Sequence, residues 1–231
     1  MTKISRRDFI RLSSLLGLST ALSSCVTPLG GDFQGKVIVI GAGAAGLSAG
    51  YLLNQRGIEF EILEARNDYG GRFRVNKSFT DFPISLGAEW LHKAPSALND
   101  ILNDRSVEHG IELRPYSADT DTYGTYVDGQ YSEEPLPDYG DSKFIGSSWF
   151  DFYDQHIVPS IRNKIRFNTP ITNIDYRGDQ VVLTDRNGGR HTADKVIVTV
   201  PLRILQLGWV NFAPALRSEE RRVGKECRSR W

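Results

Sequence analysis

The chain has 231 residues, of which 40% are hydrophobic and 24% charged, with 22 glycines, 10 prolines and two cysteines. This is the composition of an ordinary globular protein, and it excludes collagen-like, low-complexity and disulfide-stapled classes. Basic and acidic residues both number 28, and a formal charge of zero argues against a dedicated nucleic-acid binder. The length permits one large domain or two small ones.

Residues 1–24 have the features of an export signal. A basic start is followed by an uncharged apolar stretch, Leu12–Ser24, which is too short to span a bilayer and is typical of a secretory signal. Residues 5–11 (SRRDFIR) resemble the twin-arginine export motif. Residues 22–25 (LSSC) resemble a bacterial lipobox, which predicts lipidation at Cys25. The alternative is an amphipathic surface helix with a chance arginine pair.

The two signals together predict a localisation. We expect the twin-arginine machinery to carry the folded protein across the bacterial inner membrane, leaving it periplasmic or in the cell envelope. Acyl chains on Cys25 would hold it on a membrane surface, since each buried CH₂ contributes about 0.8 kcal/mol. Residues 25–35 are predicted to be a tether between this lipid anchor and the first strand.

Residues 217–231 (RSEERRVGKECRSRW) form a sudden basic and polar run. One nucleotide sequence that could encode this run resembles a widely used sequencing-library adapter over all fifteen codons. This resemblance predicts that the tail is non-native and that the natural sequence extends only to about Leu216. The alternatives are a solvated basic tail and an arginine-rich partner motif. Without this tail and residues 1–24, the chain keeps 18 basic and 24 acidic residues, so the remaining piece is acidic.

Residues 36–64 follow the pattern of a dinucleotide-binding unit. An apolar β-branched run, Lys36–Ile40, enters the motif G-A-G-A-A-G at residues 41–46. A helix is predicted from Leu47 to Gln55, and a strand over Ile58–Leu63 ends at Glu64, 23 residues after Gly41. A Gly-rich hairpin is the alternative, but the helix and the acid follow at the distances that a dinucleotide fold requires.

Each position of this unit has a physical role. Gly41 permits the tight turn, Gly43 lets the backbone approach a pyrophosphate, and Gly46 permits close helix–strand packing. Ala44 and Ala45 lie at the helix N-terminus, whose free N–H groups attract phosphate. Glu64 can accept hydrogen bonds from ribose hydroxyls and would repel a 2′-phosphate, which disfavours NADP.

The residues after Glu64 carry a family resemblance. Residues 64–72 (EARNDYGGR) resemble the E-A-R-x-R-x-G-G-R signature of the flavin-containing amine oxidases, with Asp68 where the family commonly has arginine. This resemblance implies FAD as the cofactor, held by Ala65, Arg66, Gly71 and Arg72. In such proteins the arginine at the position of Arg72 holds the pyrophosphate.

A second segment extends the resemblance. Residues 86–92 (LGAEWLH) resemble the family's L-G-A-x-W-I-H segment, which implies that Gly87, Ala88, Glu89 and Trp90 lie beside the isoalloxazine ring. Core packing at a strand end is the alternative for Trp90 and His92. Glu89 could attract a cationic polyamine, or it could be a solvated surface residue.

The resemblance divides the rest of the chain. Residues 36–92 form the FAD-binding unit, 93–146 part of an inserted α+β substrate domain, and 147–216 a return to the FAD-binding domain. Within these segments we predict helices over 94–110 and Tyr153–Arg162, a hairpin turning at Asp128-Gly129, a second hairpin around residues 187–189, and a strand over Lys195–Val200. Ile171 takes the position whose backbone meets adenine in the family.

The resemblance therefore implies an α/β fold, the Rossmann-like FAD-binding domain of a two-domain amine oxidase, in incomplete form. It implies oxidation of a primary or secondary amine by hydride transfer to flavin N5, imine hydrolysis and reoxidation by dioxygen. No catalytic residue is assigned. The four histidines are scattered, so no metal site is predicted.

Other functions stay open. The chain could derive from another FAD-linked oxidoreductase, such as an amino-acid, carotenoid or porphyrinogen oxidoreductase, or be a non-catalytic anchored FAD-binding module. Because the family's later motifs would lie past residue 216, we predict an inactive fragment of low stability with weak or no FAD retention.

Overall fold

A computed structural model describes residues 33–92, 94–117, 120–135 and 140–216. Every helix and strand below lies in one compact unit that begins at Gln34. The predicted signal, Cys25, most of the tether and the segment 217–231 lie outside the described residues. Among the described residues, no helix is both long enough and apolar enough to cross a membrane.

The described residues form short strands and short helices. The strands are β1 (Lys36–Ile40), β2 (Glu59–Leu63), β3 (Val75–Asn76), β4 (Ile84–Ser85), β5 (Trp90–Leu91), β6 (Glu112–Pro115), β7 (Thr122–Val127), β8 (Gln130–Pro135), β9 (Ser142–Ile145), β10 (Ile165–Arg166), β11 (Ile171–Asp175), β12 (Val181–Asp185), β13 (Arg190–Ala193), β14 (Lys195–Val198) and β15 (Asn211–Ala213). The helices are α1 (Ala44–Gln55), α2 (Ala97–Leu102), α3 (Trp149–His156), α4 (Val158–Ile161) and α5 (Leu202–Gln206), with 3₁₀ turns at Gly71–Phe73 and Arg162–Lys164.

A parallel sheet of four strands, in the order β10-β2-β1-β14, forms the centre of the nucleotide-binding unit. In its register, Ile38 of β1 lies between Glu61 of β2 and Val196 of β14. Two of the four strands therefore come from residues 147–216, as the predicted return of the chain to this sheet requires. The domain bounds at residues 92, 146 and 216 stay predictions.

Helix α1 covers one face of this sheet. Its buried residues are Gly46, Leu47 and Gly50, and a Cβ added at Gly50 would lie 2.7 Å from Ile62 Cδ1. Gly50 stands four residues after Gly46, a spacing that predicts the same helix face toward the sheet, and the structure confirms this. The helix begins at Ala44, three residues before the predicted start at Leu47.

An antiparallel sheet covers the other face. It has the order β13-β12-β11-β15, with β15 parallel to β11. Ile38 and Ile40 of β1 pack in one buried cluster with Ile174 and Leu183 of this sheet. The predicted hairpin around residues 187–189 is confirmed as β12 and β13, and the parallel sheet is thus the middle of three layers.

Three smaller sheets follow the nucleotide-binding unit in the chain. They pair β3 with β4, β7 with β8, and β5, β9 and β6 in the order β5-β9-β6. The hairpin turn at Asp128-Gly129 is confirmed, with Asp128 and Gly129 at φ of 51° and 80°. Phe152 of α3, Ile161 of α4 and Ile157 between the two helices are completely buried.

Two predicted helices differ from the structure. The helix predicted over 94–110 was wrong beyond Leu102, because Asn103 turns left-handed at φ 53° and the Asp104 carboxylate accepts hydrogen bonds from Ser106 instead. The helix predicted over Tyr153–Arg162 begins earlier, at Trp149, and breaks at Ile157. The break precedes Pro159, which has no N–H for the helical hydrogen bond to the residue four positions earlier.

Candidate nucleotide-binding site

The glycine-rich loop leaves the parallel sheet between β1 and α1. Gly41 has a φ of +104°, which L side chains rarely adopt. A Cβ at Gly46 would lie 1.8 Å from the Gly41 carbonyl oxygen, whereas a Cβ at Gly43 would have no atom within 4 Å. Gly46 is therefore required by packing, and Gly43 leaves an open surface above the loop.

The N-terminus of α1 adjoins this open surface. Gly43 is the N-cap residue, no side chain caps the helix, and no acidic residue lies in the first turn. Ala44 and Ala45 are exposed there. The N–H groups of a first helical turn have no intrahelical partners, so this end of α1 can donate hydrogen bonds to an anion.

Glu64 follows β2 beside the loop. Its Oε2 accepts a hydrogen bond from the Ala42 N–H at 2.7 Å, and its Oε1 accepts one from the Arg66 N–H at 2.9 Å. Each carboxylate oxygen has a second lone pair, so the predicted bonds to ribose hydroxyls remain possible. Ala65 and Arg66 are exposed, and Arg66 Nε lies 3.5 Å from Asp68 Oδ1.

The paired glycines bring the next segment against the loop. Gly70 donates its N–H to the Ala42 carbonyl at 2.9 Å, and a Cβ at Gly71 would lie 3.3 Å from Gly43 Cα. Arg72 follows and is exposed. Its guanidinium has no hydrogen bond or ion pair with any residue in the described part of the chain, and the residue before it, Gly71, packs against Gly43.

The departure at position 68 also has a structural place. Asp68 forms an ion pair with Arg74, whose Nη1 lies 2.9 Å from Asp68 Oδ2. The Nε of Arg74 is buried and has no hydrogen-bond partner among the residues that the structure describes. Asp68 therefore neutralises the cation of Arg74 close to Gly70, whereas the arginine common in the family at this position would add a positive charge near Arg72.

Residues 86–90 lie against the backbone of Arg72. Ala88 donates its N–H to the Arg72 carbonyl at 3.0 Å, and a Cβ at Gly87 would lie only 2.0 Å from that oxygen. The Trp90 ring stacks on Tyr116 at 4.2 Å between centroids. Trp90 is half-buried, while Gly87 and Ala88 are exposed, and the place of these residues beside a flavin ring stays a prediction.

Glu89 has a partner that the sequence did not indicate. Its Oε1 lies 2.7 Å from Lys143 Nζ of β9. The hydrogen bond to Glu89 raises the pKa of Lys143, which favours the charged form of Lys143. The pair lines a cavity of about 450 Å³ whose other walls include Phe82, Phe144 and Ser148.

Ile171 lies on the far side of the Glu64 segment. It is buried at the start of β11, and the residues before it join the loop after β2: Asn168 donates to the Arg66 carbonyl and Thr169 to the Glu64 carbonyl, both at 2.8 Å. The structure thus gathers the predicted positions of 41–46, 64–66, 71–72 and 171 around one loop. Their roles in binding stay predictions.

The sequence analysis missed Thr199, which follows β14 and contacts the glycine-rich loop. The Thr199 hydroxyl donates a hydrogen bond to the Ile40 carbonyl at 2.7 Å and contacts the Gly41 carbonyl oxygen at 3.2 Å. Its only sequence signal is a single hydroxyl in the apolar run Lys195–Val200. In the described ranges, no three or more His, Cys, Asp or Glu residues are grouped so as to hold a metal ion.

Tyr69 joins the segment after β2 to α3. Its hydroxyl donates to Asp154, and its ring stacks on Phe150 at 5.6 Å. Burial, followed by the bond to Asp154 and the charge of Asp154, raises the pKa of Tyr69 to about 12. The neutral phenol is therefore favoured in the folded state.

We expect the stability that Tyr69 contributes to be present below pH 10 and to be lost as the pH rises from 10 toward 12. Ultraviolet titration of phenolate absorbance measures the ionisation of Tyr69 that causes this loss, and Tyr69→Phe should remove one late-titrating group near pH 12. Tyr126→Phe, which removes an exposed phenol, is the matched control and should leave that late step in place. Because the pKa values of Tyr131 and Tyr153 are also raised, the assignment would be contradicted by a late step of undiminished amplitude in Tyr69→Phe.

Two family models match the chain. One, of the NAD(P)-binding Rossmann-like domain, covers residues 39–104, and the other, of flavin containing amine oxidoreductases, covers residues 153–224. The second match runs eight residues into the segment 217–231, which was predicted to be non-native. The nature of that segment stays a prediction.

Curated relatives are similar over most of the chain at low identity. Lysine-specific histone demethylase 1B of Mus musculus is 25% identical over 264 residues, which is 80% of this chain and 32% of that protein. Polyamine oxidase 4 of Oryza sativa subsp. japonica is 24% identical over 266 residues, covering 79% and 54%. Polyamine oxidase 3 of the same plant is 47% identical over 57 residues, covering 25% and 12%.

Solved structures show the same fold. Wild-type putrescine oxidase bound to putrescine superposes with a TM-score of 0.60 at 13% identity, over 81% of this chain and 62% of that chain. The protein therefore has the Rossmann-like FAD-binding fold of the amine oxidases, and the matches imply FAD as its cofactor. The chain spans about a third of the demethylase and about half of polyamine oxidase 4.

Proposed function

We propose, from similarities that support the flavin-containing amine oxidase family, that this chain is the N-terminal part of an FAD-dependent oxidase of primary or secondary amines. The observation that carries the proposal is that Gly71 packs against Gly43 at the uncapped end of α1, so that the exposed Arg72, unpaired among the described residues, follows directly in the chain. A diphosphate is the group that such a set of donors fits best.

The residues present fit FAD. The Gly43 backbone, the first turn of α1 and Arg72 would hold the pyrophosphate, and Glu64 would accept the ribose hydroxyls. The open space above Gly43 supports this, because a Cβ there would occupy surface that no protein atom approaches. The family resemblance further implies that Ile171 lies at the adenine, and Gly87 and Ala88 at the flavin ring.

Bound FAD would supply a two-electron oxidation of the amine to an imine, with dioxygen as the final electron acceptor. The chain's own residues bind and orient the cofactor. Lys143 neutralises Glu89 at 2.7 Å, so this carboxylate is a weaker attractant for a cationic amine than a free one. We assign no catalytic residue.

An FAD titration tests the cofactor site. We expect the full chain to bind FAD weakly, and Arg72→Gln to weaken binding by about tenfold or more, since a hydrogen bond to a charged group contributes about 1.5–3 kcal/mol. Quenching of flavin fluorescence at equilibrium measures both affinities. Arg105→Gln, at an exposed arginine of the loop after α2, is the control and should bind as the parent chain does.

Two results would count against the proposal. Absence of any FAD binding by a folded chain would remove the cofactor site from this piece, and equal binding by Arg72→Gln would remove the role of Arg72.

The reaction itself is tested on the complete natural protein. Amine-dependent peroxide formation supports an amine oxidase, and its absence with flavin retained favours another FAD-linked oxidoreductase or a non-catalytic module.

We also propose that the mature protein is exported and anchored by lipid at Cys25. The twin-arginine route fits this function, because it carries folded proteins and FAD must be loaded in the cytoplasm. Detergent phase separation of the natural protein tests the anchor, and recovery in the aqueous phase would contradict it.

Resequencing the gene past the codon for Leu216 tests the tail, and a natural genomic continuation would refute an adapter origin.

A further inference from the structure

Two distant residues hold the two ends of one peptide group in the glycine-rich loop. The carbonyl oxygen of Gly41 lies 3.2 Å from the Thr199 hydroxyl. The N–H on the other side of the same peptide, that of Ala42, donates to Glu64 at 2.7 Å. Thr199 follows β14 and Glu64 follows β2, so the loop is held from both neighbours of β1.

The Thr199 hydroxyl acts at the point where β1 ends. Its single proton is shared between the Ile40 carbonyl at 2.7 Å and the Gly41 carbonyl at 3.2 Å, and the Thr199 N–H also donates to Ile40 at 3.0 Å. These bonds join the last carbonyl of the strand to the first carbonyl of the loop. They set where the regular strand stops and the turn starts.

This peptide group needs such support. Gly41 lies at φ +104°, and glycine has no Cβ to restrict its backbone to one orientation. If the peptide between Gly41 and Ala42 turned over, its carbonyl oxygen would point toward the Glu64 carboxylate and the Ala42 N–H would lose its acceptor. The contact to Thr199 opposes that rotation from the carbonyl side.

We propose that Thr199 is a positioning residue for the nucleotide-binding loop, whose hydroxyl keeps the Gly41 carbonyl turned toward β14 before any cofactor binds. The part of this inference that concerns FAD rests on the proposed function. The part that concerns the loop does not. A loop already ordered loses less conformational freedom when its ligand binds, so a preformed loop gives tighter binding.

A packing role for Thr199 makes a different prediction. If only the shape of the side chain matters, valine should replace threonine without effect, because the two side chains have the same branching. If the hydroxyl matters, Thr199→Ser should preserve the loop and Thr199→Val should loosen it. The two substitutions therefore separate hydrogen bonding from volume.

Hydrogen–deuterium exchange of the full chain without nucleotide tests the inference. We expect Thr199→Val to raise the exchange of the Gly41 and Ala42 amides by about tenfold, the size of one net hydrogen bond. The amides of α3 should be unchanged, and Thr199→Ser should behave as the parent chain. FAD titration of the same proteins should then show weaker binding for Thr199→Val alone.

Each outcome decides the inference. Parent-like exchange in Thr199→Val, or equal loosening in Thr199→Ser, would overturn it. If Thr199→Val loses protection in every segment, Thr199→Ala is measured next, and global loss there too would show that the hydroxyl supports the sheet rather than the loop, which also overturns it. If the parent chain binds no FAD, the proposed function fails in this piece, while the exchange experiment still decides the role of Thr199.

Discussion

Gly46→Ala is expected to lower the free energy of unfolding by about 3 kcal/mol, because its new methyl group has no space. The added Cβ would lie 1.8 Å from the Gly41 carbonyl oxygen and 2.9 Å from the Thr199 hydroxyl. The first of these is a backbone atom, so α1 must move away from β1. For a chain of this size, the midpoint of thermal unfolding should fall by about 6–12 °C.

The matched control lies in the same loop. Gly43→Ala adds the same methyl group where no atom lies within 4 Å, so its effect on stability should be less than about 1 kcal/mol, the size of an N-cap substitution. Its effect should instead be on FAD affinity, because the methyl group fills the surface proposed for the pyrophosphate. Equal loss of stability in both variants, measured by urea unfolding, would contradict the packing argument.

Gly87→Ala is expected to disturb the Arg72 segment. A Cβ at Gly87 would lie 2.0 Å from the Arg72 carbonyl oxygen, which also accepts the Ala88 N–H at 3.0 Å. Since Gly87 does not have a left-handed φ, the cost is steric alone, and we expect a loss of about 2 kcal/mol. Because the strain falls on the backbone of Arg72, FAD affinity should fall as well.

Gly178→Ala provides the control for that variant. Gly178 also lies outside the left-handed region, and its nearest contact for an added Cβ is the Gln180 carbonyl at 3.7 Å, so its effect should stay within about 0.5 kcal/mol. Thermal unfolding and exchange of the Ala88 amide measure the two variants side by side. An unchanged Ala88 amide in Gly87→Ala would show that the segment adapts without losing its hydrogen bond.

The nucleotide-binding unit was predictable because its signals are local. Lys36–Ile40 is an apolar run of strand length, and the three glycines of the loop stand at the spacing that a strand–turn–helix requires. The structure bears out the strand, the loop and the helix, with the helix starting three residues earlier than predicted and the next strand one residue later. Gly50 was placed on the correct face by helical periodicity.

Prediction was weakest where local and tertiary forces compete. The apolar spacing of Leu98, Ile101 and Leu102 indicated a helix over 94–110, yet the helix ends at Leu102. Asn103 and Asp104 offer the backbone alternative hydrogen bonds that periodicity does not register. Likewise, Glu89 could not be interpreted from its neighbours, since its partner Lys143 lies on a strand more than fifty residues away.

What the sequence by itself determined is the α/β nucleotide-binding unit and its family resemblance, because periodicity, glycine spacing and the acid after the second strand are properties of neighbouring residues. Only the tertiary structure decided which glycine is required by packing, which cation stays free, and which hydroxyl supports the loop. Thr199 is separated from Gly41 by 158 residues, and the pairing of β14 with β1 brings them together. Such contacts depend on the order of strands in the sheet, which the spacing of nearby residues does not specify.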